Sequence, residues 1–277
     1  MESRTIHTRS GDMAYVEAGR GRVALFVHGV ATSGHLWRGV IAALRDEPGR
    51  RCIAIDLPLH GATPPRDDYS LPALAEAIED FCAALDLTGI DLVANDTGGA
   101  VAQVFAARHG ERLRTLTLTN CDAHDNMPPE QFKPTIALAE RGELAPLVAS
   151  GDAIQVGRAN LGAGYERPEA LTDESLRAYI EPLIRTPERA KDFERFLVSL
   201  RAADLLEAEP ALRKLDVPTL VVWGTGDEFF ELSWAYWLRD TIPGVTDVVE
   251  IDGARLFFPD ERPADLVPHL RRHWAAH

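Results

Sequence analysis

The chain is 277 residues long, 45% hydrophobic and 26% charged, a globular composition long enough for one large α/β domain or a domain plus an insertion. It carries 29 basic against 43 acidic residues, a formal net charge of -14. Such a surface repels nucleic acid and anionic membrane and disfavours any phosphate-tracking function. The lysines, Lys133, Lys191 and Lys214, and the scattered arginines form no run that reads as a binding arm.

Cys52, Cys82 and Cys121 are an odd number at wide spacing, inside apolar runs and without a CxxC pair. Neither a disulfide framework nor a zinc site is indicated, and a reduced compartment fits better. The first residues alternate and carry charge where a secretory leader needs an apolar stretch, and no segment approaches 18 uninterrupted apolar residues. Neighbouring carboxylates such as Asp67 with Asp68 or Asp227 with Glu228 lack companions at metal-ligand spacing. The expectation is a cytoplasmic protein with a small-molecule substrate, no cofactor, no metal, and no nucleic-acid or membrane partner. A homodimer is the one protein partner expected.

In chain order, the apolar run Val23 to Val27 ends at His28-Gly29 and precedes a helical pattern around Leu36 to Leu44. Strand-like Cys52 to Leu57, a helix over Leu71 to Leu87, strand Ile90 to Ala94, a helix over Gly98 to His109 and strand Leu113 to Thr119 follow. Continuous apolar strands alternating with helices predict an α/β fold, a parallel sheet covered on both faces. From Asp122 to about Leu215 only helical signals occur, including the capped start Thr186-Pro187-Glu188. The rhythm resumes with Pro218 to Trp223, a helix over Glu231 to Arg239, strand Val245 to Ile251 and a helix from Pro263. Residues 1–121 and 216–277 are therefore read as one core domain, interrupted by a helical cap over 122–215.

Strand IDLVA runs directly into Asn95-Asp96-Thr97-Gly98-Gly99 and a helix. A chain reversing within one residue needs small side chains two positions either side of its apex, here Ala94 and Gly98. The apex is Asp96, whose carboxylate projects above the carboxyl ends of the strands, where open α/β sheets place ligands. The alternative for this carboxyl is helix capping.

With His28-Gly29, Asp56-Leu57-Pro58, His60-Gly61, Trp223-Gly224 and Asp227, this elbow resembles the α/β-hydrolase family. Within it, the resemblance is to the haloalkane dehalogenase and epoxide hydrolase branch, which carries aspartate where esterases carry serine. The resemblance implies a mostly parallel eight-stranded sheet with an inserted cap. It also implies a nucleophilic Asp96 that forms an alkyl ester, an acid at Asp227, and oxyanion donors from the N–H groups of Val30 and Thr97.

The pattern fails at the base. Relatives place histidine after the last strand in a run resembling G-A-G-H-F, whereas Gly253-Ala254-Arg255-Leu256-Phe257 puts Leu256 there. Losing a general base lowers its step by about 10²- to 10⁴-fold. His124, after strand Leu113 to Thr119, is the candidate replacement, and a solvated loop residue is its alternative. Thr97 stands where dehalogenases usually hold tryptophan, and the cap has none. Cap residues Tyr165 and Tyr179 are candidate proton donors to an epoxide oxygen or simply packing residues. His35, Phe229, Leu256 and Phe258 are expected to line the pocket. A dry pocket would raise the Asp96 pKa and the helix end would lower it.

Three functions follow. The first is an Asp-nucleophile hydrolase of a small apolar epoxide or ester. The second is a non-hydrolytic isomerase, lyase or cyclase using Asp96 as general acid or base. The third is a binding protein that has lost catalysis.

Overall fold

The computed structural model describes residues 3–149 and 151–277. Among them, eight strands form one sheet: β1 (Ser3–Thr8), β2 (Gly11–Gly19), β3 (Arg22–Val27), β4 (Arg50–Ile55), β5 (Ile90–Asn95), β6 (Leu113–Thr119), β7 (Thr219–Gly224) and β8 (Val245–Ile251). Their order is β1-β2-β4-β3-β5-β6-β7-β8. β2 is antiparallel to both β1 and β4, and every other pair is parallel. This is the expected mostly parallel sheet. Every residue of β5 and β7 is buried, while β1 and β8 at the two edges alternate or stay exposed. Buried parallel strands need apolar side chains on both faces, which is why their sequences run apolar without alternation.

The helices are α1 (Arg38–Leu44), α2 (Leu71–Ala84), α3 (Thr97–His109), α4 (Lys133–Glu140), α5 (Leu144–Ala149), α6 (Ala153–Leu161), α7 (Asp173–Ile184), α8 (Pro187–Ser199), α9 (Ala202–Leu212), α10 (Leu232–Thr241), α11 (Phe258–Glu261) and α12 (Pro263–Ala276). Helices α4 to α9 lie between β6 and β7. Helix α8 starts as its sequence predicts, with the Thr186 side chain accepting the Arg189 N–H at 3.2 Å and proline in the first turn. Helix α2 stops at Ala84, three residues short of expectation, because Asp86 adopts a left-handed φ of 52° that turns the chain toward β5. No helix among the described residues is long and apolar enough to cross a membrane.

The segment after β8 ties the cap to the core. Phe257 N–H donates to the Gly164 carbonyl at 2.8 Å, and the Arg255 guanidinium donates to the Ala163 carbonyl at 3.1 Å. The Glu261 carboxylate accepts the N–H groups of Glu166 and Arg167 at 2.8 and 3.0 Å. Beside them the Asp260 carboxyl meets the Arg38 guanidinium at 2.5 Å and accepts the hydroxyls of Tyr165 and Tyr179 at 2.7 and 3.1 Å. A buried charge persists only when paired and hydrogen-bonded, and Asp260 has both kinds of partner.

Candidate active site

The site begins at the join of β5 and α3. Asp96 sits at φ 58°, ψ -141°, a conformation that an L-residue adopts only where the surroundings enforce it. The enforcement is backbone: Asp96 N–H donates to the Asn120 carbonyl, and Gly99 N–H donates to the Asp96 carbonyl, both at 2.8 Å. The close approach also explains Gly98, where a Cβ would come within 2.3 Å of the His28 carbonyl oxygen. The reversal thus lifts one carboxyl above the sheet while the helix starts beneath it.

Around Asp96 lies a cavity of about 940 Å³ of empty space, its mouth included, roofed by the cap. Its walls are almost wholly apolar, with Phe132, Ile136, Leu161 and Leu183 from the cap and Phe229, Leu256 and Phe257 from the core. The polar residues among its lining are Asp96, Thr97, Asp122, Thr135 and Asn160, so no cation and no imidazole faces it among the described residues. An apolar wall that offers no cation fits an apolar ligand without an anionic group.

The N–H groups of Val30 and Thr97 both point to the carboxyl of Asp96 and favour its charged form. The loop carrying Val30 is fixed from behind by two neutral imidazoles. His28 accepts the Leu57 N–H at 2.9 Å, and His60 accepts the Ala31 N–H at 3.3 Å. Burial lowers both rings, His60 to about 4. These histidines are part of the scaffold that holds the loop.

The competition over Asp96 is won by burial. Desolvation, then the nearby Asp122 carboxyl, holds Asp96 well above the usual carboxylate range, and the Thr97 and Val30 N–H groups only partly offset this. Asp122 is 1% exposed and lines the same cavity. Its Oδ2 accepts the Thr97 hydroxyl at 3.1 Å, its own carbonyl accepts the Gln103 amide at 2.7 Å, and burial pushes its carboxyl up to about 7. The two carboxyls thus line one cavity with no cation beside them among the described residues.

Asp227 stands behind this floor. Its Oδ2 accepts the Asn120 amide at 2.7 Å and its Oδ1 the Phe229 N–H at 2.9 Å, while Asn120 Oδ1 receives the Gly224 N–H at 2.7 Å. Burial raises it to about 6. Among the described residues no imidazole is paired with Asp227. The Leu256 carbonyl accepts the Asn95 amide at 2.9 Å while its side chain joins the cavity wall.

Several expectations from the sequence need correction. His124 does not line the cavity. A left-handed φ of 54° turns it away, its Nδ1 pairs with the Glu209 carboxylate at 2.7 Å, and its ring packs 4.9 Å from Trp237. Tyr165 and Tyr179 do not line it either, because both hydroxyls already donate to Asp260. His35 packs against Tyr179 at 5.7 Å and meets Ser175 Oγ at 3.4 Å, outside the cavity wall. Phe258 is fully buried beside the cap clamp, and its neighbour Phe257 reaches the cavity in its place. Sequence reading missed Asp122 and Asn120. The signal available was Asn120-Cys121-Asp122 at the carboxyl end of β6, beside the elbow strand.

A description of the alpha/beta hydrolase fold matches residues 23–262. Over 281 residues, 94% of this chain and 91% of the relative, the sequence is 28% identical to a cis-3-alkyl-4-alkyloxetan-2-one decarboxylase of Xanthomonas campestris pv. campestris. A haloalkane dehalogenase of Mesorhizobium japonicum is 42% identical over 106 residues, which is 38% of this chain and 34% of that one. The crystal structure of epoxide hydrolase VrEH1 from Vigna radiata superposes with a TM-score of 0.82 at 21% identity, covering 100% of this chain and 98% of that one. Sheet order, elbow and sequence match agree, and the chain belongs to the alpha/beta hydrolase fold family.

Proposed function

We propose that Asp96 is the nucleophile of an enzyme that hydrolyses an uncharged, apolar electrophile, an epoxide or an ester. One observation carries this reading: the Val30 and Thr97 N–H groups face the carboxyl of Asp96 itself. In hydrolysis of an aspartyl ester the tetrahedral oxyanion develops on that group, so donors aimed there stabilise the second step of a two-step reaction. Donors serving proton transfer at a substrate carbonyl would instead be free to face the substrate. The cavity wall supports the substrate class, since it offers apolar surface and no cation to an anionic substrate. The Xanthomonas relative is named for acting on an oxetan-2-one, a strained cyclic ester, and such a ring presents the kind of electrophilic carbon a carboxylate attacks.

A second reading, non-hydrolytic ring opening or elimination, is favoured by Leu256, which leaves no imidazole to activate water. Heavy-oxygen water separates the two. Under repeated turnover of an epoxide or lactone, hydrolysis through Asp96 puts label first into the Asp96 carboxyl and then into product. Product formation with neither labelled overturns the hydrolytic reading.

A further inference from the structure

We propose that Asp122 is a second catalytic carboxyl, the proton donor for ring opening and then the base that activates water in place of the missing imidazole. This deepens the Asp96 reading and rests on it.

The geometry narrows the choice. A base for hydrolysis of an Asp96 ester must face the same cavity, because water reaches the ester carbonyl only from there. Of the residues lining that space, only Asp96 and Asp122 carry groups that titrate as carboxyls, and the remaining polar groups are hydroxyls and an amide. Asp227, the residue the family resemblance made the acid, is occupied by Asn120 and the N–H of Phe229 and does not line the cavity. His124, Tyr165, Tyr179 and His35 are held elsewhere, as described above. Asp122 is held by the residue that follows the nucleophile: Thr97 gives its N–H to Asp96 and its hydroxyl to Asp122. One residue, through its backbone N–H and its hydroxyl, thereby contacts both carboxyls, and no arginine, lysine or histidine pairs with Asp122 among the described residues.

The proton inventory closes with one shared proton. Burial favours the proton on Asp96 at rest, so reaction starts from the minor form with that proton on Asp122, in which the Asp96 carboxylate attacks a ring carbon of an epoxide and the carbon–oxygen bond breaks. The released alkoxide takes the Asp122 proton, leaving an Asp96 ester and an Asp122 carboxylate. Asp122 then removes a proton from water as the water oxygen bonds to the ester carbonyl carbon, and the oxyanion rests against Val30 and Thr97. Collapse expels the alcohol oxygen, which leaves with the proton from the newly formed Asp96 carboxyl. A diol departs, Asp122 keeps one proton, and Asp96 is again a carboxylate. No oxidant, reductant or further reactant is needed.

The test uses the full chain as wild type, Asp122→Asn and Asp122→Glu, with a panel of alkyl epoxides, assayed for diol release and by intact-protein and peptide mass. In Asp122→Asn we expect diol release to fall by about 10²- to 10⁴-fold, and an alkyl ester to accumulate on Asp96 when alkylation still outpaces decay. Asp122→Glu should restore part of the turnover and remove the adduct, an outcome a merely structural Asp122 does not produce. Thermal melts verify folding, and if Asp122→Asn does not fold, Asp122→Glu against Asp122→Ser with added formate replaces the pair. Formate-dependent turnover then supports the assignment. An Asp96 ester that decays equally fast with and without a carboxyl at position 122 overturns it and leaves Asp96 as nucleophile. Diol formation with no adduct and no label at Asp96 in any form overturns both.

Discussion

Two buried carboxyl sites in this protein are built in opposite ways. At the cap clamp, Asp260 has a guanidinium and two phenol hydroxyls, so burial pushes its carboxyl up while Arg38, Tyr165 and Tyr179 pull it back toward the charged form. At the cavity floor, Asp96 and Asp122 have each other, three backbone N–H groups and one hydroxyl, and no cation among the described residues. The first arrangement satisfies a charge and holds two layers together. The second keeps a charge poorly satisfied, which is a stability burden tolerated where reactivity needs it. The residues that resembled proton donors belong to the clamp, and the residue that resembled nothing belongs to the floor.

The strongest way to break this contrast is Asp96→Asn. Turnover should fall by about 10⁴-fold or more, as for removal of a covalent nucleophile, while the thermal midpoint rises above wild type because a buried carboxyl is lost. A midpoint that falls would mean the carboxyl is a structural cap.

Asp122→Asn sharpens the same point through pH. The folded state raises the Asp122 carboxyl from about 3.8 to about 7, so its neutral form is the one that folding favours. Stability from that preference is complete below about pH 4 and is lost as pH rises through 7. Asparagine stays neutral throughout, so its advantage over wild type should grow between pH 5 and pH 8, toward an upper bound of about 4 kcal/mol. Denaturant melts at the two pH values measure it, and an advantage independent of pH contradicts the assignment of burial as the cause.

Arg38→Ala tests the other site. Removing one partner of a buried pair leaves Asp260 with phenol donors alone, and we expect a loss of about 3 kcal/mol, on the order of 10 °C in Tm. Turnover at a temperature where the variant is folded should change far less than stability. Tyr179→Phe should have the smallest effect, a loss of about 2 kcal/mol for one hydrogen bond to a charged group, with kcat unchanged. A kcat drop of about 10²-fold or more would make Tyr179 a proton donor after all and collapse the distinction between clamp and floor.

The chain alone determined the alternation of strands and helices, the helical interruption before β7, and the elbow at Asp96. Each of these depends on local rules: the period of apolar residues, a capping side chain, or a glycine where a Cβ would strike backbone. It also fixed a leucine at position 256, a side chain that takes no proton in any fold. Tertiary structure decided which polar groups share a space. His124 and Asp122 are two residues apart in the same loop, yet one turns to Glu209 and Trp237 and the other faces the cavity. Only the backbone reversal at His124 and the long-range partners supplied by Thr97, Glu209 and α10 separate them. Whether the helix end or the dry wall governs Asp96 was likewise set by burial, a sum over elements far apart in sequence that no local pattern encodes.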